Sequence, residues 1–191
     1  MKHIVIFASG SGSNAENLIR FFHNRDNVSV IQVLTNNPRA KVLERCNNLN
    51  ISALSFNRTA FLETSDVLNI LKLTNPDLIV LAGFLWKVPK NILQAFPNKI
   101  INIHPALLPK YGGKGMYGMY VHEAVINNKE TETGITIHYV NENYDEGAII
   151  YQAKCSVEST DTAESVAQKV HILEMEHFPK VVESILFPEN G

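Results

Sequence analysis

Short runs of aliphatic and β-branched residues alternate along this chain with stretches that carry apolar side chains at helical spacing. The first unit is an apolar run at residues 4–8, a loop rich in glycine and serine at 9–14, and an apolar helical stripe at 15–25. Strands that alternate with helices in this way indicate a parallel sheet covered by helices. The same alternation predicts further strands at residues 28–35, 51–55, 77–82 and 99–103, further helices at residues 40–48 and 66–74, and a short helix opened by Pro89.

The pattern changes in the last third of the chain. The apolar runs at residues 134–140 (GITIHYV) and 148–155 (AIIYQAKC) are separated by only a short polar turn, which favours an antiparallel hairpin. Residues 162–186 then have the spacing of a long amphipathic helix. We therefore expect an α/β fold: a Rossmann-like, doubly wound, mostly parallel sheet with an antiparallel C-terminal hairpin and a long closing helix.

Length and composition fit a single domain over residues 1–191. The chain has 45% hydrophobic and 19% charged residues, which is typical of a globular protein with a substantial core. Its 17 Lys and Arg residues face 19 Asp and Glu residues, giving a formal charge of -2. This balance provides no basic field for nucleic acid or for an anionic membrane, so we expect neither as a partner. Any anionic ligand must be held by local donors.

Cysteines, histidines and hydropathy exclude several classes of protein. Cys46 and Cys155 are too few for a disulfide framework and lack CxxC spacing, so a reducing cytoplasm is the expected location. No apolar stretch approaches the roughly 18 to 20 residues that span a bilayer. The histidines form no HExxH or similar ligand spacing, and we predict no metal.

The loop Ser9–Asn14 (SGSGSN) is a candidate phosphate site because it follows a strand and opens a helix. Glycines there let backbone N–H groups approach an anion at the positive end of the helix. The alternative is an ordinary tight turn in which Ser13 or Asn14 caps the helix.

Gly10, Gly12 and Ala15 also fit GxGxxA, a variant of the dinucleotide-binding fingerprint, so an oxidoreductase is a rival interpretation. An NAD site needs an acid at the end of the second strand, and none occurs between Asp26 and Glu44. Arg39 can serve an NADP phosphate, so the rival is weakened and stays open. A P-loop lysine is absent as well.

Asn102, His104 and Asp145 form the second candidate group. Asn102 and His104 lie two residues apart at the end of a predicted strand, so they share one face at the edge where open parallel sheets place their active sites. An asparagine N–H can stabilise a developing oxyanion, and a histidine can move a proton near neutral pH. The alternatives are a turn cap, a hydrogen-bonded core histidine, and an aspartate that only forms a hairpin turn.

The segment Asn102–Pro109 (NIHPALLP) is similar to the N-I-H-P-S-L-L-P motif of the folate-dependent formyltransferases. Leu81-Ala82-Gly83-Phe84 before it and Asp145-x-Gly147 after it match the same family in order, and the resemblance covers nearly the whole chain. Within the family, the chain resembles the members that formylate phosphoribosylglycinamide in de novo purine (IMP) synthesis. The resemblance implies small-molecule substrates, with 10-formyltetrahydrofolate as the formyl donor.

Three catalytic roles follow from the resemblance. Asn102 would bind the formyl oxygen, His104 would be the general acid, and Asp145 would position His104 while favouring its protonated form. The glycinamide amine would attack the formyl carbon to give a tetrahedral oxyanion stabilised by Asn102 and His104. Asp145, through water, would assist proton transfer from the amine to the departing folate nitrogen.

The resemblance also implies binding residues in both halves of the domain. Gly12, Ser13 and Asn14 would hold the phosphate in a nucleotide-fold-like half, residues 1–100, and Glu174 would bind the ribose from a catalytic and folate-binding half, residues 101–191. The alternatives are core packing for apolar folate contacts and a solvated helix position for Glu174. The expected folate contacts are Leu85, Trp86, Lys87, Val88, Asn141, Glu142, Asn143 and Tyr144.

Two segments depart from the family pattern. Residues 110–121 form a loop a few residues longer than is usual, and its tyrosines and methionines can pack over a ligand or onto a second subunit, so we expect a monomer or a homodimer. The arginine that often touches folate is missing from Thr59–Thr64, with only Arg58 nearby.

Other members of the same enzyme class fit less well. A methionyl-tRNA formyltransferase should carry an extra basic domain, and the tRNA and amino-sugar enzymes are disfavoured by length and by the phosphate loop. A formyltetrahydrofolate hydrolase would usually have a regulatory domain before the first strand. A noncatalytic binding module would leave three catalytic-type residues unexplained.

Overall fold

Seven strands form one sheet in the computed structural model, which describes residues 1–188. The order across the sheet is β3-β2-β1-β4-β5-β6-β7, parallel from β3 to β5 and antiparallel from β5 to β7. The expected mostly parallel sheet with an antiparallel hairpin is thereby confirmed. The strands are β1 (Lys2–Phe7), β2 (Val28–Thr35), β3 (Ala53–Ser55), β4 (Leu78–Leu81), β5 (Ile100–His104), β6 (Glu132–Tyr139) and β7 (Ile149–Ser156).

Helices cover both faces of this sheet. The last of them is 24 residues long and begins after Thr162, whose hydroxyl accepts from the Ser165 N–H while the Ser165 hydroxyl accepts from the Thr162 N–H. The helices are α1 (Ser13–Phe22), α2 (Lys41–Asn48), α3 (Arg58–Leu62), α4 (Asp66–Thr74), α5 (Lys90–Ala95), α6 (Met119–Asn127) and α7 (Ala163–Leu186). Within residues 1–188, no helix combines the length and the apolar character that crossing a bilayer requires.

Several element boundaries differ from those that the sequence predicts. The third strand is shorter, because the Ile51 N–H donates to the Cys46 carbonyl and so closes α2 instead of entering the sheet. The fifth strand continues through His104. The short helices α3 and α6 are not among the predicted elements. Helix α3 starts after Asn57, whose side chain accepts from the Ala60 N–H.

Two apolar cores lie on opposite faces of the sheet. Along β1, Ile4 and Ile6 belong to one core and Val5 and Phe7 to the other, as strand alternation requires. The first core includes side chains of α1, α2, α6 and α7, and the second includes side chains of α3, α4 and α5. Because both faces are buried, the carboxyl edge of the parallel strands is where polar side chains can gather around a ligand.

Candidate active site

A cavity of about 870 Å³ opens at the carboxyl ends of β1, β4 and β5. The loops after these strands form its floor, while the segment before α6, the first turn of α6 and one face of α7 form its walls. Its lining comprises residues 9–14, 82–85, 102–105, 113–119, 122, 144, 145, 167, 171 and 174. The cavity therefore brings together the candidate phosphate loop and all three candidate catalytic residues.

The loop after β1 leaves the start of α1 open. The N-cap residue is Gly12 with φ +75°, and no side chain caps the helix, so neither Ser13 nor Asn14 plays the capping role considered as an alternative. A side chain at Gly12 would be strained and would overlap Val42. The first amides of a helix have no acceptor within it, and here they line the cavity at the positive end of α1.

Asn14 connects the candidate phosphate loop to α7. Asn14 is only 9% exposed, and its Nδ2 donates to Glu174 Oε2 over 3.0 Å across 160 residues of sequence. The same Glu174 oxygen lies 3.2 Å from His171 Nδ1, and this hydrogen bond raises the pKa of His171. Asn14 Oδ1 is buried without a hydrogen-bond partner. The residue expected to bind ribose thus lies directly beside the loop expected to bind phosphate.

Asn102 and His104 lie at the end of β5 on one face, as their spacing predicts. Strand β6 pairs with β5 so that His138 is opposite Asn102, and Asn102 Nδ2 lies 3.1 Å from His138 Nε2. His138 Nδ1 donates to the Tyr139 carbonyl over 2.9 Å, so Nε2 accepts from Asn102. His138 was not selected from the sequence. The only sequence feature that points to His138 is its position within a predicted strand, and the sequence does not reveal how that strand pairs with β5.

His104 is 4% exposed and has an acceptor near each ring nitrogen. Nε2 donates to the Tyr111 carbonyl over 2.7 Å, and Nδ1 lies 3.7 Å from Asp145 Oδ2. Burial lowers the pKa of His104 and outweighs the opposing effects of the Asp145 carboxylate and the Tyr111 carbonyl. The expected effect of Asp145 therefore has the right sign, but in the structure burial favours the neutral imidazole.

Asp145 lies in the loop between β6 and β7 with a left-handed backbone, φ +56°. Oδ2 accepts from the Gly113 N–H over 2.9 Å, and Oδ1 is 3.6 Å from His138 Nε2. Burial alone would raise the pKa of Asp145, but its contacts with the two histidines and with Gly113 lower it overall. Asp145 is therefore a carboxylate at neutral pH. Two residues later, a side chain at Gly147 would overlap the Tyr139 carbonyl, which explains the glycine in Asp145-x-Gly147.

The eight expected folate contacts do not all lie in one place. Leu85 and Tyr144 line the large cavity, whereas Lys87, Val88 and Glu142 line a neighbouring hollow of about 370 Å³. Lys87 Nζ lies 5.7 Å from the centre of the Tyr144 ring, at the boundary between the two. The remaining three, which line neither space, are Trp86, Asn141 and Asn143.

Trp86 packs within a cluster of aromatic rings. Its ring centre is 6.1 Å from that of Phe56, 6.0 Å from Phe61 and 6.5 Å from Phe84. This arrangement matches the core-packing alternative for Trp86. Asn141 organises the β6–β7 loop by accepting from the Asn143 N–H over 2.9 Å.

The long segment before α6 lies against the cavity, and residues 113–119 line it. Helix α6 begins at Met119, inside the stretch that the sequence suggested as loop, and its first turn places His122 in the wall. His122 Nδ1 is buried without a partner, and burial lowers the pKa of this residue. The described residues contain no group of three or more histidine, cysteine, aspartate or glutamate side chains arranged to hold a metal ion.

Comparison with known proteins identifies the family. The model of the formyl transferase family matches residues 2–182. A phosphoribosylglycinamide formyltransferase of Bacillus subtilis is 35% identical and aligns with 100% of this chain and 97% of its own length. A chloroplastic phosphoribosylglycinamide formyltransferase of Arabidopsis thaliana is 36% identical over 96% of this chain, which spans only 65% of that relative.

Solved structures agree with the sequence relatives. The crystal structure of a phosphoribosylglycinamide formyltransferase from Bacillus halodurans superposes with a TM-score of 0.88 at 34% identity, and the match covers 99% of this chain and 98% of that one. The resemblance carried by the motif at residues 102–109 is thereby confirmed. This chain belongs to the formyl transferase family and is a transferase.

Proposed function

We propose that this enzyme transfers the formyl group of 10-formyltetrahydrofolate to the glycinamide amine of 5'-phosphoribosylglycinamide. The observation that carries the proposal is the single cavity in which the uncapped start of α1 and Glu174 lie together with Asn102, His104 and Asp145. Such a cavity can hold a phosphorylated acceptor at one end and a reacting formyl group at the other. The relatives named phosphoribosylglycinamide formyltransferase support formyl transfer to this acceptor.

The acceptor's phosphate is assigned to Gly12, Ser13 and Asn14. The left-handed backbone of Gly12 turns the first amides of α1 toward the cavity, where the helix dipole favours an anion. Glu174, held 3.0 Å from Asn14 Nδ2, can accept hydrogen bonds from the ribose hydroxyls next to the phosphate. This arrangement would leave the glycinamide amine facing the end of β5.

The reaction is assigned to the group at the end of β5. The amine attacks the formyl carbon, and the carbonyl oxygen becomes an oxyanion that accepts from the Asn102 amide and from protonated His104. His104 Nε2 already donates to Tyr111, so Nδ1 is the nitrogen that supplies this proton. Collapse of the intermediate breaks the bond to the folate nitrogen, which takes up a proton as the amine loses one. The Asp145 carboxylate, beside Nδ1, can relay that proton through water.

The folate donor is assigned to the side of the cavity formed by Leu85 and Tyr144 and to the adjoining hollow. Apolar faces of Leu85 and Val88 can pack against an aromatic ring system, and backbone groups of residues 141–144 can read its polar edge. Lys87 lies at the junction of the two spaces and offers a positive charge to the acidic end of the donor. Trp86 would support this region through its aromatic neighbours.

The decisive experiment measures release of tetrahydrofolate from 10-formyltetrahydrofolate with three acceptor conditions. They are phosphoribosylglycinamide, the same acceptor without its phosphate, and no acceptor. The proposal requires rapid release only with the phosphorylated acceptor, together with the formylated product. Release without any acceptor would instead make the enzyme a hydrolase, and equal rates with and without the phosphate would exclude the assigned phosphate site.

A further inference from the structure

Tyr111 lies outside the Asn102–Pro109 motif but next to the two proposed catalytic residues His104 and Asp145. Its carbonyl accepts from His104 Nε2 over 2.7 Å, and two residues later the Gly113 N–H donates to Asp145 Oδ2 over 2.9 Å. At Gly112, between them, a Cβ would lie 2.5 Å from the Leu108 side chain and 3.3 Å from Asp145 Cβ, so a side chain there would displace one of these groups. A short backbone segment therefore binds His104 and Asp145 at the same time.

The backbone of Tyr111 is held in an unusual conformation. Its φ of +55° lies in the left-handed region, which is disfavoured for a bulky side chain. The Tyr111 hydroxyl donates to Glu130 Oε1 over 2.9 Å, and Lys110 Nζ lies 2.9 Å from both oxygens of the same carboxylate. Glu130, just after α6, thus anchors the side chain whose carbonyl reaches His104.

This bond determines which nitrogen of His104 carries the proton. A carbonyl can only accept, so Nε2 must donate, and in the neutral ring Nδ1 is then the unprotonated nitrogen. Nδ1 is also the nitrogen that lies beside Asp145. Without the Tyr111 carbonyl the ring would be free to rotate or to change tautomer, and Nδ1 would no longer be reserved for the reaction.

We propose that Tyr111, anchored through its hydroxyl by Glu130, is a positioning residue whose carbonyl fixes the orientation and the tautomer of His104. The inference rests on the proposed function, which makes His104 catalytic. It assigns to Glu130, an acid outside the cavity lining, an effect on the chemistry inside the cavity.

Three substitutions test this anchor in the full-length enzyme. Tyr111→Phe and Glu130→Ala each remove the hydroxyl–carboxylate bond, whereas Lys110→Gln removes only the ion pair on the same carboxylate. We expect the first two to lower kcat by about tenfold with little change in KM, because the reacting group is misplaced while the substrates still bind. Lys110→Gln should retain the wild-type kcat, and Glu130→Gln, which can still accept from Tyr111, should restore most of the activity lost in Glu130→Ala.

The pH profile separates positioning from a loss of folding stability. The Tyr111 carbonyl raises the pKa of His104, so the limb of the kcat profile that reports His104 should move to lower pH in Tyr111→Phe and Glu130→Ala. The other titratable groups that face His104 are unchanged by these substitutions; they are Asp145, His138 on β6, His122 on α6 and Glu174 on α7. Lys110→Gln should leave the limb in place.

Nitrogen-15 NMR of the His104 ring gives a readout that does not depend on activity. The wild-type ring should show the Nε2–H tautomer, and both anchor variants should show a mixture. A wild-type kcat and tautomer in Tyr111→Phe and Glu130→Ala would overturn the inference, as would a Lys110→Gln variant that matches Glu130→Ala. Absence of formyl transfer in the wild type would refute the proposed function instead, and the ring spectrum would still report the anchor.

Discussion

Replacing Asn14 with aspartate would place two carboxylates face to face at the junction of α1 and α7. Asn14 Nδ2 now lies 3.0 Å from Glu174 Oε2. At that separation two unit charges repel by about 5.5 kcal/mol at an effective dielectric constant of about 20. The substitution also removes a hydrogen bond to a charged group, which contributes about 1.5 to 3 kcal/mol. Asn14→Asp therefore tests whether the two residues are as close as the structure shows.

The size of the effect depends on pH in a defined direction. Proximity to Glu174 raises the pKa of the introduced acid in the folded protein above its unfolded value of about 3.9. The loss of folding stability caused by this charge repulsion is therefore largest above the raised pKa. It declines as pH falls through the raised pKa and disappears below the unfolded pKa. Because the side chains can reorient and the cavity admits water, we expect a loss of about 3 kcal/mol at pH 8, in the upper range for single substitutions.

Urea denaturation at pH 8 and pH 5 measures this difference, and Asn17→Asp is the matched control. Asn17 lies one turn further along α1 and donates to the Met175 carbonyl over 2.9 Å, so its replacement introduces the same charge without the Glu174 oxygen. Titration with ribose 5-phosphate should also show affinity reduced by about a hundredfold or more in Asn14→Asp, since about 2.7 kcal/mol of added repulsion suffices for that factor. An Asn14→Asp protein that loses the same stability at both pH values, or no more than the control, would refute the reasoning.

Three further predictions concern the reaction and the cavity. His104→Ala should lower kcat by about 100-fold to 10,000-fold, the range of acid–base catalysis, without a large change in the melting temperature, and an active variant would remove the proposed mechanism. The Asp145 carboxylate raises the pKa of His104, so Asp145→Asn should lower that pKa and move the limb of the pH–rate profile that reports His104 to lower pH. An unmoved limb would show that the two groups are not coupled. Lys114 is the only lysine or arginine among the residues that line the large cavity, so Lys114→Gln should raise KM for the phosphorylated acceptor about threefold to tenfold at low salt. The same KM increase for an acceptor without phosphate would contradict that role.

Hydrophobic periodicity was enough to predict most of the fold because successive strands and helices each contribute apolar residues to the two cores. The buried strands carry apolar residues on both faces, and the helices between them carry one apolar stripe each, so the order of elements follows from the pattern. The positions of Gly12, Asn102 and His104 followed in turn, since each comes directly after or at the end of a parallel strand. Helix α3 has only five residues, which is too short for a periodic signal, and α6 begins inside the glycine-rich stretch that the sequence suggested as loop.

The part of the site that sequence reasoning missed depends on the pairing of β5 with β6 and on a backbone carbonyl. His138 reaches Asn102 only because β6 pairs antiparallel in a register that places them opposite each other, and the chain gives no local sign of that register. Tyr111 acts through its carbonyl, which every residue possesses, so no residue type signals the role. The net lowering of the His104 pKa could not be predicted either, because it depends on how completely the ring is buried.

The bond between Asn14 and Glu174 has a consequence for the order in which the enzyme becomes competent during its synthesis. The two residues are separated by 160 positions, and α7 also supplies Val170 and Phe178 to the core that covers α1. A nascent chain that has emerged only as far as β7 already contains the proposed phosphate loop and the proposed catalytic group, but lacks Glu174 and leaves apolar surface on α1 open. Completion of the proposed acceptor site and closure of that core therefore both require α7. A ribosome stalled before α7 would present a chain that a chaperone can recognise and a phosphorylated acceptor cannot stabilise.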